Sequence, residues 1–151
     1  MTESSQTNVR KGSCFCGEVS FAVEGKPLFS LYCHCTQCQR ADGAAFVPAI
    51  HYPPSAFAWT YAAENKPEEE TLRGFTMYRC KKCRSCVATQ MGDTQNWALR
   101  CTQLERDANG KIKNWDDVKP SCHIFYDTRV VDVADDLPKW EGFPNQSARV
   151  G

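Results

Sequence analysis

The amino-acid sequence predicts a mainly β protein of short strands and hairpins with little helix. Three observations carry this. Several stretches alternate apolar and polar residues, glycine and proline punctuate the chain at short intervals, and no segment keeps an apolar period of 3.6 over three turns. No internal repeat is visible. At 151 residues the chain is the size of one domain able to bury a real core.

In order, residues 1–11 read as a disordered tail, since little in Met1 to Lys11 can be buried, and a single domain is expected over 12–143. Val19, Phe21 and Val23 alternate with Ser20, Ala22 and Glu24, as on a half-buried strand. Gly25-Lys26-Pro27 is a turn, and Leu28 to Cys33 forms the next strand. Thr36 to Ala41 makes a short helical turn stopped by Gly43 in a left-handed cap. Ala44 to Ile50 is extended, with Pro48 indicating an edge or bulge. Phe57, Trp59 and Tyr61 alternate on a strand; Glu64 to Glu70 is an acidic solvated loop; Thr71 to Arg79 holds one or two strands around Gly74. Trp97, Leu99 and Cys101, and later Cys122, Ile124 and Tyr126, mark two more strands, with a turn at Asp107-Ala108-Asn109-Gly110 between them. Residues 144–151 read as a C-terminal tail.

Eighteen basic residues balance eighteen acidic ones, which argues against an electrostatic nucleic-acid binder, although Arg79, Lys81, Lys82 and Arg84 cluster locally. No apolar run reaches the roughly 20 residues of a membrane helix. Met1 to Lys11 lacks the apolar core of a secretory signal, so the expected location is the cytoplasm.

Ten cysteines are the dominant compositional feature. In a reducing compartment, C-x-C and C-x-x-C spacings favour metal ligation over disulfides. Cys33-His34-Cys35-Thr36-Gln37-Cys38 places three thiols within six residues. On an extended backbone Cys33 and Cys35 share a side, His34 faces away, and a turn brings Cys38 back. Three converging thiolates with no local fourth match an open, catalytic type of zinc site. A second pair, Cys14 and Cys16, needs two partners from a distant C-x-x-C, for which Cys80/Cys83 and Cys83/Cys86 both qualify. The alternative partition closes the Cys33/Cys35/Cys38 set with Cys86, Cys101 or Cys122 and makes both sites structural.

These motifs resemble those of the glutathione-dependent formaldehyde-activating enzymes, a family shared with centromere protein V. Gly12-Ser13-Cys14-Phe15-Cys16-Gly17-Glu18-Val19 is similar to the opening motif, and Cys33 to Arg40 with Gly43-Ala44 to the second. Tyr78 to Cys83 with Ser85 resembles the third; His123-Ile124-Phe125 and Asp136-Leu137-Pro138 resemble the C-terminal end. The resemblance implies a zinc-containing β-rich fold related in shape to zinc-containing Rab exchange factors (a β-tent). It implies two Zn2+ sites, one structural on Cys14, Cys16, Cys80 and Cys83 and one open and catalytic on Cys33, Cys35 and Cys38. It further implies a carbon–sulfur lyase activity joining glutathione and formaldehyde, or a related thiol and aldehyde. The rival reading is a non-catalytic zinc module that binds a protein partner. In one departure, Arg84 stands where the family has glycine, and a non-glycine residue in a left-handed turn costs about 1–2 kcal/mol.

Glutathione carries carboxylates, and Arg40, two positions past Cys38, is the basic residue placed to receive one. His34 reads as structural, and His51 and His123 as lone histidines on apolar segments. Cys101 and Cys122 read as buried thiols, and Trp59 and Trp97 as core aromatics.

Overall fold

The alternating stretches become ten strands, joined by one α-helix and five single turns of 3-10 helix, in the computed structural model, which describes residues 8–151. Strands β1 (Val9–Ser13), β2 (Ser20–Glu24) and β5 (Phe57–Trp59) form a three-stranded antiparallel sheet in the order β1-β2-β5. The other sheet has seven strands: β3 (Phe29–Cys33), β4 (Val47–Tyr52), β6 (Glu68–Leu72), β7 (Phe75–Arg79), β8 (Cys86–Met91), β9 (Trp97–Arg100) and β10 (His123–Ile124). Their order is β10-β3-β4-β9-β8-β7-β6, and only the β10–β3 pair is parallel. The fold is mainly β, and among the described residues α1 (Thr36–Asp42) is the one α-helix.

Strand β4 is buried on both faces because its side chains serve two cores. Ile50 and Tyr52 pack with Phe21, Val23, Val87, Trp97 and Leu99 between the sheets. Phe57 stacks on Trp97 at 4.1 Å and Trp59 meets Trp97 edge-on at 5.6 Å, so β5 is fastened to β9 by aromatic faces. On the other side Ala49 joins Leu31, Cys33, Cys122 and Ile124, with Phe29, Phe125, Trp140 and Phe143 against them. Each core has one cysteine group at its margin.

Several boundaries differ from expectation for tertiary reasons. The expected tail over 1–11 is cut short, because Val9–Lys11 lie in β1, registered on Glu24, Val23 and Ala22, and Arg10 is buried; residues 1–7 lie outside the described chain. Pro48 is not on an edge, since β4 pairs with both β3 and β9. It is tolerated because pairing with β9 begins only at Ala49. Glu68–Glu70 are exposed, as an acidic run should be, yet they form β6, paired to β7 through a two-residue turn. Arg73 and Gly74 both have positive φ there, which suits the twist of tight hairpins. Strand β10 shrinks to His123–Ile124. The C-terminal residues are not loose: Val150 N–H donates to Lys139 O at 2.8 Å and Glu141 N–H to Ala148 O at 2.9 Å.

Candidate metal centres

Turns at the ends of two hairpins bring four thiols together. Cys14 and Cys16 lie between β1 and β2, and Cys80 and Cys83 between β7 and β8. Their sulfurs all lie within 4.8 Å of one another, with 3.6 Å separating Cys14 from Cys16 and Cys16 from Cys80. Four sulfurs at 2.3 Å from a tetrahedral ion would stand about 3.8 Å apart, so the donor set fits zinc in spacing and in softness. Backbone N–H groups aim at the sulfurs, Val19 at Cys14 and Lys82 at Cys80, both at 3.4 Å. Such donors favour the thiolate that a metal requires. Ser85 ties the turns together, its Oγ accepting from Phe15 N–H at 3.2 Å and lying 3.0 Å from Cys83 Sγ. Arg84 has φ 69°, the left-handed conformation expected at this position, and its N–H closes the turn on Cys80 O at 2.9 Å. Cys86 lies apart on β8, its sulfur 3.7 Å from Ala88 O, so Cys80/Cys83 is the pair that meets Cys14/Cys16.

Cys33, Cys35 and Cys38 converge as their spacing suggested. Strand β3 ends on Cys33; Cys35 caps α1, its Sγ accepting from Cys38 N–H at 3.2 Å; and α1 carries Cys38 in its first turn. The helix stops at Gly43, whose φ of 59° gives the left-handed cap. The three sulfurs lie within 4.8 Å of one another, and among the described residues no fourth His, Cys, Asp or Glu joins them. Cys86, Cys101 and Cys122 are buried but none joins the group, although Cys122 packs in the same core as Cys33. Cys33 is buried, whereas Cys35 and Cys38 are half-buried, so the group is reached from one side.

The electrostatics of the three thiols favour a bound cation. Hydrogen bonds from Cys33 and Cys38 hold Cys35 far below a free thiol, and the hydrogen bond to Cys35, with Cys38 and burial behind it, drives Cys33 far above. Cys38 is pulled down by its hydrogen bond with Cys33 and up by Cys35 and by burial, ending at about 12, with Arg100 acting to lower it. Three thiolates this close together are sustained only where a positive ion offsets their mutual repulsion.

Two groups that the sequence did not reveal brace this site. Arg100 on β9 is a largely buried cation beside Cys38, held by Asp42 at the end of α1 through Nε at 3.1 Å and a second nitrogen at 2.9 Å. Its side chain reaches Thr89 Oγ1 at 3.1 Å as well. His34 points away from the sulfurs, as expected, into a buried contact with His123 at 2.8 Å. His123 is therefore not a lone histidine; its other nitrogen lies 2.8 Å from Asp135. Ordinary residues 58 and 89 positions apart carry no local pattern that would have announced either contact. Arg40 is exposed on the last turn of α1.

The family model for the glutathione-dependent formaldehyde-activating enzyme matches residues 9–128. Among solved structures, a Rhodobacter sphaeroides protein known from its crystal structure aligns with a TM-score of 0.49 and 22% identity, covering 68% of this chain and 96% of that one. No curated protein matches. Among the described residues no helix is long and apolar enough to cross a membrane. The match takes in β1 through β10 and all seven converging cysteines, and on that span the chain belongs to the family of glutathione-dependent formaldehyde-activating enzymes.

Proposed function

We propose that this chain makes and breaks the carbon–sulfur bond of S-(hydroxymethyl)glutathione, or of a related thiol–aldehyde adduct, at the Cys33/Cys35/Cys38 group. In the forward direction the thiol sulfur bonds to the aldehyde carbon, the carbonyl π pair becomes a bond to hydrogen, and the thiol proton ends on oxygen. The reverse is a carbon–sulfur lyase step. The observation that carries this reading is a three-sulfur group, half-open to solvent, with no fourth protein ligand among the described residues. Zinc held by Cys33, Cys35 and Cys38 would keep one position free and supply Lewis acidity to a thiol sulfur or an aldehyde oxygen.

The remaining residues take supporting parts. Cys14, Cys16, Cys80 and Cys83 hold a second zinc, closed and structural. Arg40, exposed on the last turn of α1, receives a glutathione carboxylate as a rim contact. Arg100, fixed by Asp42, sets positive charge next to Cys38 without leaving its own pocket. The ten free thiols fit a protein of the reducing cytoplasm.

Exchange NMR on glutathione and formaldehyde tests the reading, with zinc-loaded protein at catalytic concentration and a Cys35→Ser control. Faster interconversion of free and adduct glutathione, lost in the control, is the expected result. No acceleration by protein shown to hold two zinc ions would overturn it and leave a protein-binding zinc module as the better account.

A further inference from the structure

His34 stands between two of the three thiols, and it is tied down through every polar group but one. Its N–H donates to Ile124 O at 3.0 Å. Its carbonyl accepts from Gln39 Nε2 at 2.8 Å and from Thr128 Oγ1 at 2.9 Å. Its ring Nε2 meets His123 Nδ1 at 2.8 Å, His123 Nε2 meets Asp135 Oδ2 at 2.8 Å, and Lys139 Nζ donates to Asp135 Oδ1 at 2.7 Å. Both imidazoles are fully buried. Phe46 lies against His34 at 4.7 Å, Tyr32 stacks on His123 at 5.0 Å, and Tyr126 stands edge-on to both.

The far end of the chain fixes the hydrogen that faces Asp135. Burial raises the Asp135 carboxyl, but Lys139 and His123 outweigh it and hold the group down to about 2, so it stays ionised and can only accept. His123 Nε2 therefore carries a hydrogen toward Asp135, and one hydrogen is shared between His123 Nδ1 and His34 Nε2. Among the described residues, His34 Nδ1 is a buried ring nitrogen without a partner.

Such a chain is costly as a core element. Hydrocarbon of the same volume would fill the space without desolvating two imidazoles. What the polar chain supplies instead is direction: it fixes the torsion of one residue whose two neighbours are thiols. On extended backbone those neighbours project to the same side, so the setting of residue 34 determines the separation and mutual angle of the Cys33 and Cys35 sulfurs.

We infer that the His34–His123–Asp135–Lys139 chain is a positioning device that holds the Cys33-His34-Cys35 segment in the geometry required to bind metal at the trithiol group. It rests on the reading of that group as a metal centre. His34, His123 and Asp135 are positioning residues; none of them is a ligand. Removing outer hydrogen bonds of this kind typically lowers metal affinity by roughly 10–100-fold.

The test uses the full-length protein loaded with 113Cd, in which the trithiol and tetrathiol groups give separate resonances, titrated with a chelator. In His123→Phe the trithiol resonance should shift and its cadmium should be lost at an affinity roughly 10–100-fold weaker, while the tetrathiol resonance keeps its position and affinity. His34→Leu should behave like His123→Phe. His34→Gln, which places an amide donor near the Nε2 position, should stay close to the parent protein. Should His123→Phe fail to fold, Asp135→Asn decides in the same way, since that side chain is 31% exposed and keeps its shape. Equal loss at both groups, or an unmoved trithiol resonance and affinity in the variants, would overturn the inference. A parent protein that binds cadmium only at the tetrathiol group would instead overturn the metal-centre reading beneath it.

Discussion

Replacing Arg84 by glycine should leave the protein more stable than replacing it by alanine. Arg84 sits at φ 69° in the turn that returns Cys83 to Cys80. Any residue with a Cβ pays about 1–2 kcal/mol in that conformation, and glycine does not. Against this, glycine frees the unfolded chain by about 0.5–1 kcal/mol relative to alanine. The native arginine also pairs with Glu68 at 2.9 Å, but the two side chains are 68% and 58% exposed, so the pair contributes well under about 1 kcal/mol. Both substitutions lose it equally. The glycine variant should therefore exceed the alanine variant by about 0.5–1 kcal/mol, the reverse of the usual order at ordinary positions. Urea unfolding measures the difference, with zinc buffered at one free concentration because ligand binding adds to apparent stability. An alanine variant as stable as the glycine variant, or more so, would refute the left-handed turn on which this reasoning depends.

The other predictions concern packing, charge, pH and the two cysteine groups. Gly12→Ala would drive its Cβ into Phe21 Cζ, and Phe21 is fully buried, so a loss of about 1–3 kcal/mol is expected in thermal unfolding; an unchanged midpoint would mean that the ring yields freely. Asp42→Ala should cost about 3 kcal/mol by stranding the buried Arg100, and Arg100→Met added to it should restore most of that loss; a double variant no better than the single would sink the argument. Burial holds the His51 imidazole down to about 4. The unfolded chain then takes up a proton near pH 6.5 that the folded chain refuses, so this contribution is complete above pH 6.5 and is lost toward pH 4, at up to about 1.4 kcal/mol per pH unit. His51→Gln should flatten that slope, and an NMR midpoint for His51 near 6.5 would contradict it. Cys16→Ser should destabilise the fold by several kcal/mol and Cys38→Ser by far less, read by urea unfolding in buffered zinc; equal losses would show that both groups clamp the fold.

Local chemistry was legible in the sequence, and distant pairing was not. Alternation along Ser20–Glu24 and Trp97–Arg100 marked strands because each turns one face to a core. Cys33, Cys35 and Cys38 could be read as one group because strand and helix geometry alone bring them together. Spacing alone left Cys80/Cys83 and Cys83/Cys86 open and the resemblance favoured the first; the physical reason is where Cys86 points once β8 has formed. Val9–Lys11 carry no strand signal of their own; β2 and the contact of Arg10 with Asp117 make them a strand. His123 looked solitary because its partners lie far away in sequence, and nothing near Arg100 in sequence announces its pairing with Asp42, 58 positions away.

The two cysteine groups differ in what they ask of the fold. Cys16 and Cys80 are 64 positions apart and lie on turns of different sheets, so an ion there joins the three-stranded sheet to the seven-stranded one and closes a long loop. Such a group contributes most when all four ligands stay in place. Cys33, Cys35 and Cys38 close no loop of consequence, and an ion there adds little to holding the chain together. Their geometry is held by neighbours instead: His34 is anchored toward β10 through His123, and the far end of α1 is anchored to β9 through Asp42 and Arg100. The trithiol group is thus braced at both ends by contacts that need no metal. A centre built this way can leave one position open to exchanging molecules without loosening the fold, whereas the tetrathiol centre cannot.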